Sequence, residues 1–247
     1  MKLICSALLL CLSSCLSAHP VIIETSLWPG FTNADGSGAY FALARLVLPA
    51  AEYPLVIRHN HLGRAWLAVQ RGQADLSFGL TQADIQAFAL ESSNLPYDAD
   101  TLLAVFQPTR LHPTELNKPR LSSLQLGWEK SYNYGAALQI NNQGYEVSSP
   151  AHAIQLLLAG RIDVYLAERG DLATPELQQQ LQKSGLQQQW LATVPVYAGF
   201  SPTDKGRKLK QFWDLRIQQL GKSGELQRFY QSYPVLQPPA PLLPSPR

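Results

Sequence analysis

The acidic side chains of this sequence recur in one setting. Asp75 and Asp163 are 88 positions apart, and each is preceded by an apolar helical run, a Gly and two residues, then followed by an apolar stretch ("AWLAVQRGQADLSFGL" and "AIQLLLAGRIDVYLAE"). Two carboxylates could share acid–base work. Each, however, follows a helix C-terminus and opens a strand, which suits a structural turn. The second copy ends on Glu168, at the carboxyl end of its strand. Trp28 lies in a Gly-, Pro- and Asn-rich loop, where its flat face could meet a ligand or a cation. In "EKSYNYG", Ser131 or Asn133 could cap the following helix, and free backbone N–H groups there could hold an anion. Tyr132 and Tyr134 would add aromatic walls. His59 and His61 are two apart, but an open metal site needs a third protein ligand, and none is near in sequence. No metal or cofactor is expected. The chain has no G-x-S-x-G and no H-E-x-x-H, so the reading is not an enzyme.

These residues need elements to position them. "VIIETS", "YPLVIRH", "ADLSFGL" and "TLLAVFQ" read as strands, with helical patterns over "AYFALARLVLPAA" and "LGRAWLAVQRG" between them. A second series follows: strands "LQLGWE", "YEVS" and "IDVYLAE", alternating with helices "YGAALQINNQG" and "PAHAIQLLLAG". "TPELQQQLQKSG" reads as a helix, "WLATVPVYAGFS" as extended, and the stretch from Thr203 to Tyr233 as terminal helices broken at Gly221 and Gly224. Strands separated by helices imply parallel crossovers, and two series imply two α/β lobes. Ligands of open α/β sheets sit outside the carboxyl ends of the strands, so the loops carrying Trp28, Tyr132 and Glu168 are the places to look.

Composition bounds the partners. "MKLICSALLLCLSSCLSA" has one basic residue, an apolar run and small residues, as a secretory signal does. Cleavage after Ala18 removes all three cysteines and Lys2, leaving 19 basic and 18 acidic residues and a net charge of +1. "LSSC" also resembles a lipobox, which would lipidate Cys15 and anchor the protein to a membrane. Charged residues make up 15% of the chain, below the usual figure of about 25%. No basic stripe is visible, so nucleic acid is not an expected partner. "PVLQPPAPLLPSPR", residues 234–247, is proline-rich and reads as a disordered tail.

Six segments in order ("SLWPGFTNADGSGAYFALARLVLP", "GRAWLAVQRGQADLSFG", "SSNLPY", "LGWEKSYNYG", "AIQLLLAGRIDVYLAE" and the terminal helices) resemble the family 3 bacterial extracellular solute-binding proteins. The resemblance runs to Tyr233. It implies a type II two-lobed periplasmic-binding-protein clamshell: α/β, with mostly parallel sheets, flanking helices and a two-strand hinge, here "LLAVFQ" and "ATVPVYAGF". Amino-acid binders of the family carry an Arg that clamps the ligand carboxylate. The matching stretch, "LTQADIQAFALESSNLPY", keeps Thr81 and Tyr97 but has no Arg; Asp84 is its nearest charge. Arg64, in "HLGRAW", either replaces that clamp or is a solvated helix residue. Glu168 falls where the family often places a ligand-ammonium partner. The implied ligand contacts are thus Trp28, Arg64, Thr81, Tyr97, Ser131, Tyr132 and Glu168.

The resulting expectation is an exported, monomeric periplasmic receptor for a small amino-acid-like or amine-bearing ligand, serving an inner-membrane ABC permease. A ligand-sensing receptor and a cyclohexadienyl-dehydratase-like enzyme are the alternatives on the same fold. The expected lobes are 19–106 with 196–233, and 107–195, after a signal at 1–18.

Overall fold

The computed structural model describes residues 19–238; the expected signal with Cys15, and residues 239–247, lie outside the described residues. In chain order the elements are β1 (Val21–Thr25), α1 (Ala39–Val47), β2 (Leu55–His59), α2 (Leu62–Gln70), β3 (Leu76–Leu80), α3 (Gln82–Ala87), β4 (Glu91–Ser92) and β5 (Asp98–Phe106). They continue with α4 (Lys118–Leu121), β6 (Leu126–Glu129), α5 (Tyr134–Ala137), β7 (Tyr145–Val147), α6 (Pro150–Leu158), β8 (Val164–Glu168), α7 (Pro175–Ser184), β9 (Gln187–Phe200), α8 (Asp204–Lys222) and α9 (Glu225–Ser232).

The sheet order is β2-β1-β3-β9-β5-β8-β6-β7, with β4 also on β9. All pairings within β1–β3 and within β6–β8 are parallel, as βα crossovers require. Every antiparallel pairing involves β5 or β9. The two series are therefore not separate sheets; they share β9. Its last residues pair with β3 and β4, and Gln187–Val196 pair with β5 except at a bulge on Leu191. Between them, Asp98–Thr101 pairs only with Thr193–Val196. That two-strand ribbon joins the halves, and it starts four residues ahead of "LLAVFQ".

Apolar burial separates the halves. Phe41, Leu76, Phe78 and Phe200 form the first core, together with Trp213 of α8 and Leu226 and Tyr230 of α9. A smaller cluster around Trp66, Leu80 and Ile85 covers the other face of that sheet. In the second half, strand alternation sends Leu102, Ala104 and Phe106 into one cluster and Leu103 and Val105 into another, so both faces are covered. The expected boundary at 106 is the end of β5, whereas Leu102–Phe106 already pack with the second half. The tail boundary moves too. Leu236 is buried in the first core and Gln237 bonds to β5, so residues 234–238 are ordered against the fold rather than part of a disordered tail.

The repeated unit is a register clamp. The Asp75 N–H donates to the Ile22 carbonyl (2.8 Å), and its carboxylate accepts the Ile22 N–H (2.8 Å). Asp163 does the same with Gln125: its N–H donates at 2.7 Å and its carboxylate accepts at 2.8 Å. Each closes a hydrogen-bonded ring at the amino end of its parallel strand. Lys205 of α8 adds an ion pair to Asp75 at 2.7 Å.

Candidate functional site

At the opposite, carboxyl ends of the strands lies a cavity of about 390 Å³. Volumes of about 300–1,000 Å³ are usual for small-molecule sites. Loops after β1, β6 and β8 reach it, as does the start of β5. Its walls include Trp28, Phe31 and Tyr40 from the first half, Tyr132, Glu168 and Asp171 from the second, Asp98 and Asp100 from the ribbon, and Val235 and Gln237 beyond α9.

Local chemistry fixes each wall. Thr32 accepts the Trp28 N–H (2.9 Å) and donates to the Ser26 carbonyl (2.8 Å), which locks the Trp28 turn. Gly79 stands at φ +77° and lines the cavity; a Cβ there would lie 2.5 Å from the Trp28 ring, so only Gly lets the indole rest on β3. Ser131 at φ 76° turns the chain after β6, and Tyr132 stacks on the buried Tyr134 (5.1 Å, 9°). Tyr132 also packs against the first half's Trp66–Leu80 cluster, so the halves touch across the cavity. Gly170 brings its N–H onto the Glu168 carboxylate, at a position where a Cβ would meet that oxygen at 2.6 Å.

Four carboxyl groups line the cavity, and no Lys, Arg or His is among its lining residues. Asp98 accepts from the Tyr40 hydroxyl (2.9 Å), its neighbour Ala99 N–H (2.8 Å) and the Gln237 N–H (2.7 Å). Burial still pushes its carboxyl up to about 6. Burial, then the charges of Glu129 and Glu168, push Asp171 up to about 8. Burial, then Glu168 and Asp98, hold Asp100 well above the usual carboxylate range. Glu168 is raised by burial, against backbone N–H groups that lower it. The unpaired charge of a desolvated carboxylate is costly, so a counter-charge in the cavity would favour the ionised form of each group.

No family model and no curated protein matches the chain. Solved structures do. A histidine kinase sensor domain with similarity to periplasmic binding proteins superposes with a TM-score of 0.66 at 13% identity, over 90% of this chain and 99% of that one. The arginine-, lysine-, histidine-binding protein ArtJ from the thermophilic bacterium Geobacillus stearothermophilus gives 0.63 at 18% identity, over 90% and 97%. The ancestral amino acid-binding protein AncCDT-1, a precursor of cyclohexadienyl dehydratase, gives 0.60 at 14% identity, over 87% and 94%. The chain has the periplasmic-binding-protein fold.

Within this periplasmic-binding-protein fold, three of the seven expected contacts line the cavity: Trp28, Tyr132 and Glu168. Arg64 is exposed on α2 and is not among the lining residues. Thr81 is turned inward: its hydroxyl donates to Asp84 (2.6 Å) and caps α3, which uses up the stretch where a carboxylate clamp was sought. Tyr97 is buried in the first core, and its hydroxyl accepts the Gly79 N–H (2.9 Å), so it acts behind the wall. Ser131 sits against Gly63 of α2, where the halves meet, and does not line the cavity. Sequence reading missed Asp98, Asp100, Asp171 and Gln237. "DAD" was the available signal, since acids two apart at a strand start share one face.

Proposed function

We propose that the chain is an exported solute-binding protein of the family 3 type, which captures a small amine-bearing ligand between two lobes as a monomer. The observation that supports this most is the single cavity at the carboxyl ends of both strand series, walled by both halves and by carboxylates. Trp28, Tyr132 and Glu168 contact the ligand. The lobes divide at the Asp98–Thr101 and Thr193–Val196 ribbon, which bends as the cleft closes. Ligand favours the closed form because only closure completes the contacts. An inner-membrane ABC permease receives the solute.

The test is a thermal-shift screen of amines, amino acids and small acids, followed by calorimetric titration of the hit. Glu168→Gln keeps the shape and removes the charge. It is expected to lose roughly 1.5–3 kcal/mol, about ten- to a hundredfold in affinity. Asp75→Asn, at the far end of its strand, is expected to bind as the parent does. Equal binding by Glu168→Gln, or no hit at all, overturns the reading.

The likeness to a kinase sensor domain favours a second reading, in which the bound protein signals to a membrane partner. A permease gene beside this one favours import. The likeness to AncCDT-1, with a protonated carboxyl in the cleft, keeps a dehydratase in view; turnover of a cyclohexadienyl acid would identify one.

A further inference from the structure

The solute-binding reading leaves the ligand's charge open, and the cavity walls address it. We infer that the ligand is a linear organic polycation, two or more ammonium or guanidinium groups joined by an apolar chain, with no carboxylate. This rests on the cleft being a ligand site.

The first observation is the wall itself. Asp98, Asp100, Glu168 and Asp171 all face one enclosed volume, with no basic side chain among the lining residues. None of the four is in an ion pair among the described residues. The second observation is independent of that count. Asp100 is half-buried and lines the cavity, yet its carboxylate has no hydrogen-bond partner among the described residues. A carboxylate partly withdrawn from water without a partner is costly, and the cavity is the open side from which a partner can come. Asp98 differs: it already has three donors, whereas Glu168 has the Gly170 N–H but no counter-charge, which leaves the charges of Asp100, Glu168 and Asp171 to be matched. One ammonium cannot neutralise three carboxylates that sit apart on β5 (Asp100), the end of β8 (Glu168) and the turn after it (Asp171).

A ligand carboxylate has nothing to meet. Arg64 is exposed away from the cavity, and Thr81 and Asp84 are bonded to each other. A carboxylate entering here would instead face four acids and no basic side chain, an unfavourable like-charge placement. Between the acids, Trp28, Phe31, Tyr40 and Tyr132 supply aromatic surface. Such faces suit a methylene chain and attract its cationic ends.

The experiment compares pairs that differ by one carboxylate. The purified full chain is titrated calorimetrically with 1,5-diaminopentane against lysine, and agmatine against arginine, with n-butylamine as a single-charge control and spermidine as a longer chain. The expected result is one-to-one binding of at least one diamine, agmatine or spermidine. That ligand should bind at least tenfold more tightly than both n-butylamine and any carboxylated counterpart. Asp100→Asn is expected to weaken it at least tenfold, with the variant's melting temperature confirming that it folds. Tighter binding of lysine than of 1,5-diaminopentane, or of arginine than of agmatine, overturns the inference and leaves the solute-binding reading standing. So does binding of a neutral or acidic solute alone. Failure of every compound, here and in the wider screen, overturns both.

Discussion

Asp75 and Glu168 are both strand-end carboxylates, yet chemistry assigns them opposite work. Asp75 is matched by the Ile22 N–H and by Lys205, both on Oδ2, so its charge is already engaged within the fold. Asp75→Ala leaves the Ile22 N–H unpaired at a partly buried site. It is expected to lower the urea-unfolding free energy by about 1–3 kcal/mol, with ligand affinity unchanged. The cavity acids behave differently with pH. Their folded pKa values are raised, Asp171 to about 8 and Asp98 to about 6. From pH 4 upward the unfolded chain has released these protons while the folded state still holds them. For Asp98 and Asp171 the contribution to stability therefore falls as pH rises, and that fall ends once pH passes about 8. Around them, Tyr40 and Tyr132 are held neutral by burial, and Glu129 and Asp84 are also raised. The ligand-free protein should melt at a lower temperature at pH 8 than Asp171→Asn does, and the two should converge near pH 5. A parent whose melting does not depend on pH relative to that variant contradicts the electrostatics of the site.

At the scale of elements, alternation of strands and helices was legible because hydrophobic period and Gly punctuation are local. Trp28, Tyr132 and Glu168 were legible for the same reason: each lies just past a strand that the pattern reveals. Asp98 and Asp100 were not, because reading the strand from Thr101 left "DAD" in a loop, whereas pairing with β9 extends β5 back to Asp98. Thr81 and Tyr97 kept positions from a resemblance, but without the Arg the segment turned to capping and core packing. Gln237 was hidden by proline content, which excludes regular structure but not docking. Its N–H donates to Asp98, and its side-chain amide donates to Thr101 (2.6 Å), so the segment after α9 straps the ribbon. Gln237→Ala removes only the side-chain bond. Gln237→Pro removes the N–H as well and leaves Asp98 short of a donor. Both should destabilise the fold, Pro by about 1–3 kcal/mol more in denaturant melts. Equal melting of the two would show that the strap does not support Asp98.

The whole molecule is two versions of one plan. β2-β1-β3 in the first half corresponds to β7-β6-β8 in the second, each with its parallel register fixed by an Asp ring and each completed by an antiparallel connecting strand. That symmetry puts both sets of strand carboxyl ends on one cleft, and among the described residues the ribbon between them pairs with no third strand. Strand ends and the loops beside them line the cleft, and here they supply acids and aromatic rings. The measurement that tests this most directly is a crystal structure with the amine selected by titration. The ligand is expected in the cavity, with cationic nitrogens about 2.7–3.0 Å from Glu168 and Asp100 oxygens and its chain against Trp28 and Tyr132. Ligand density outside that cavity, for example against the exposed Arg64 on α2, would contradict the account.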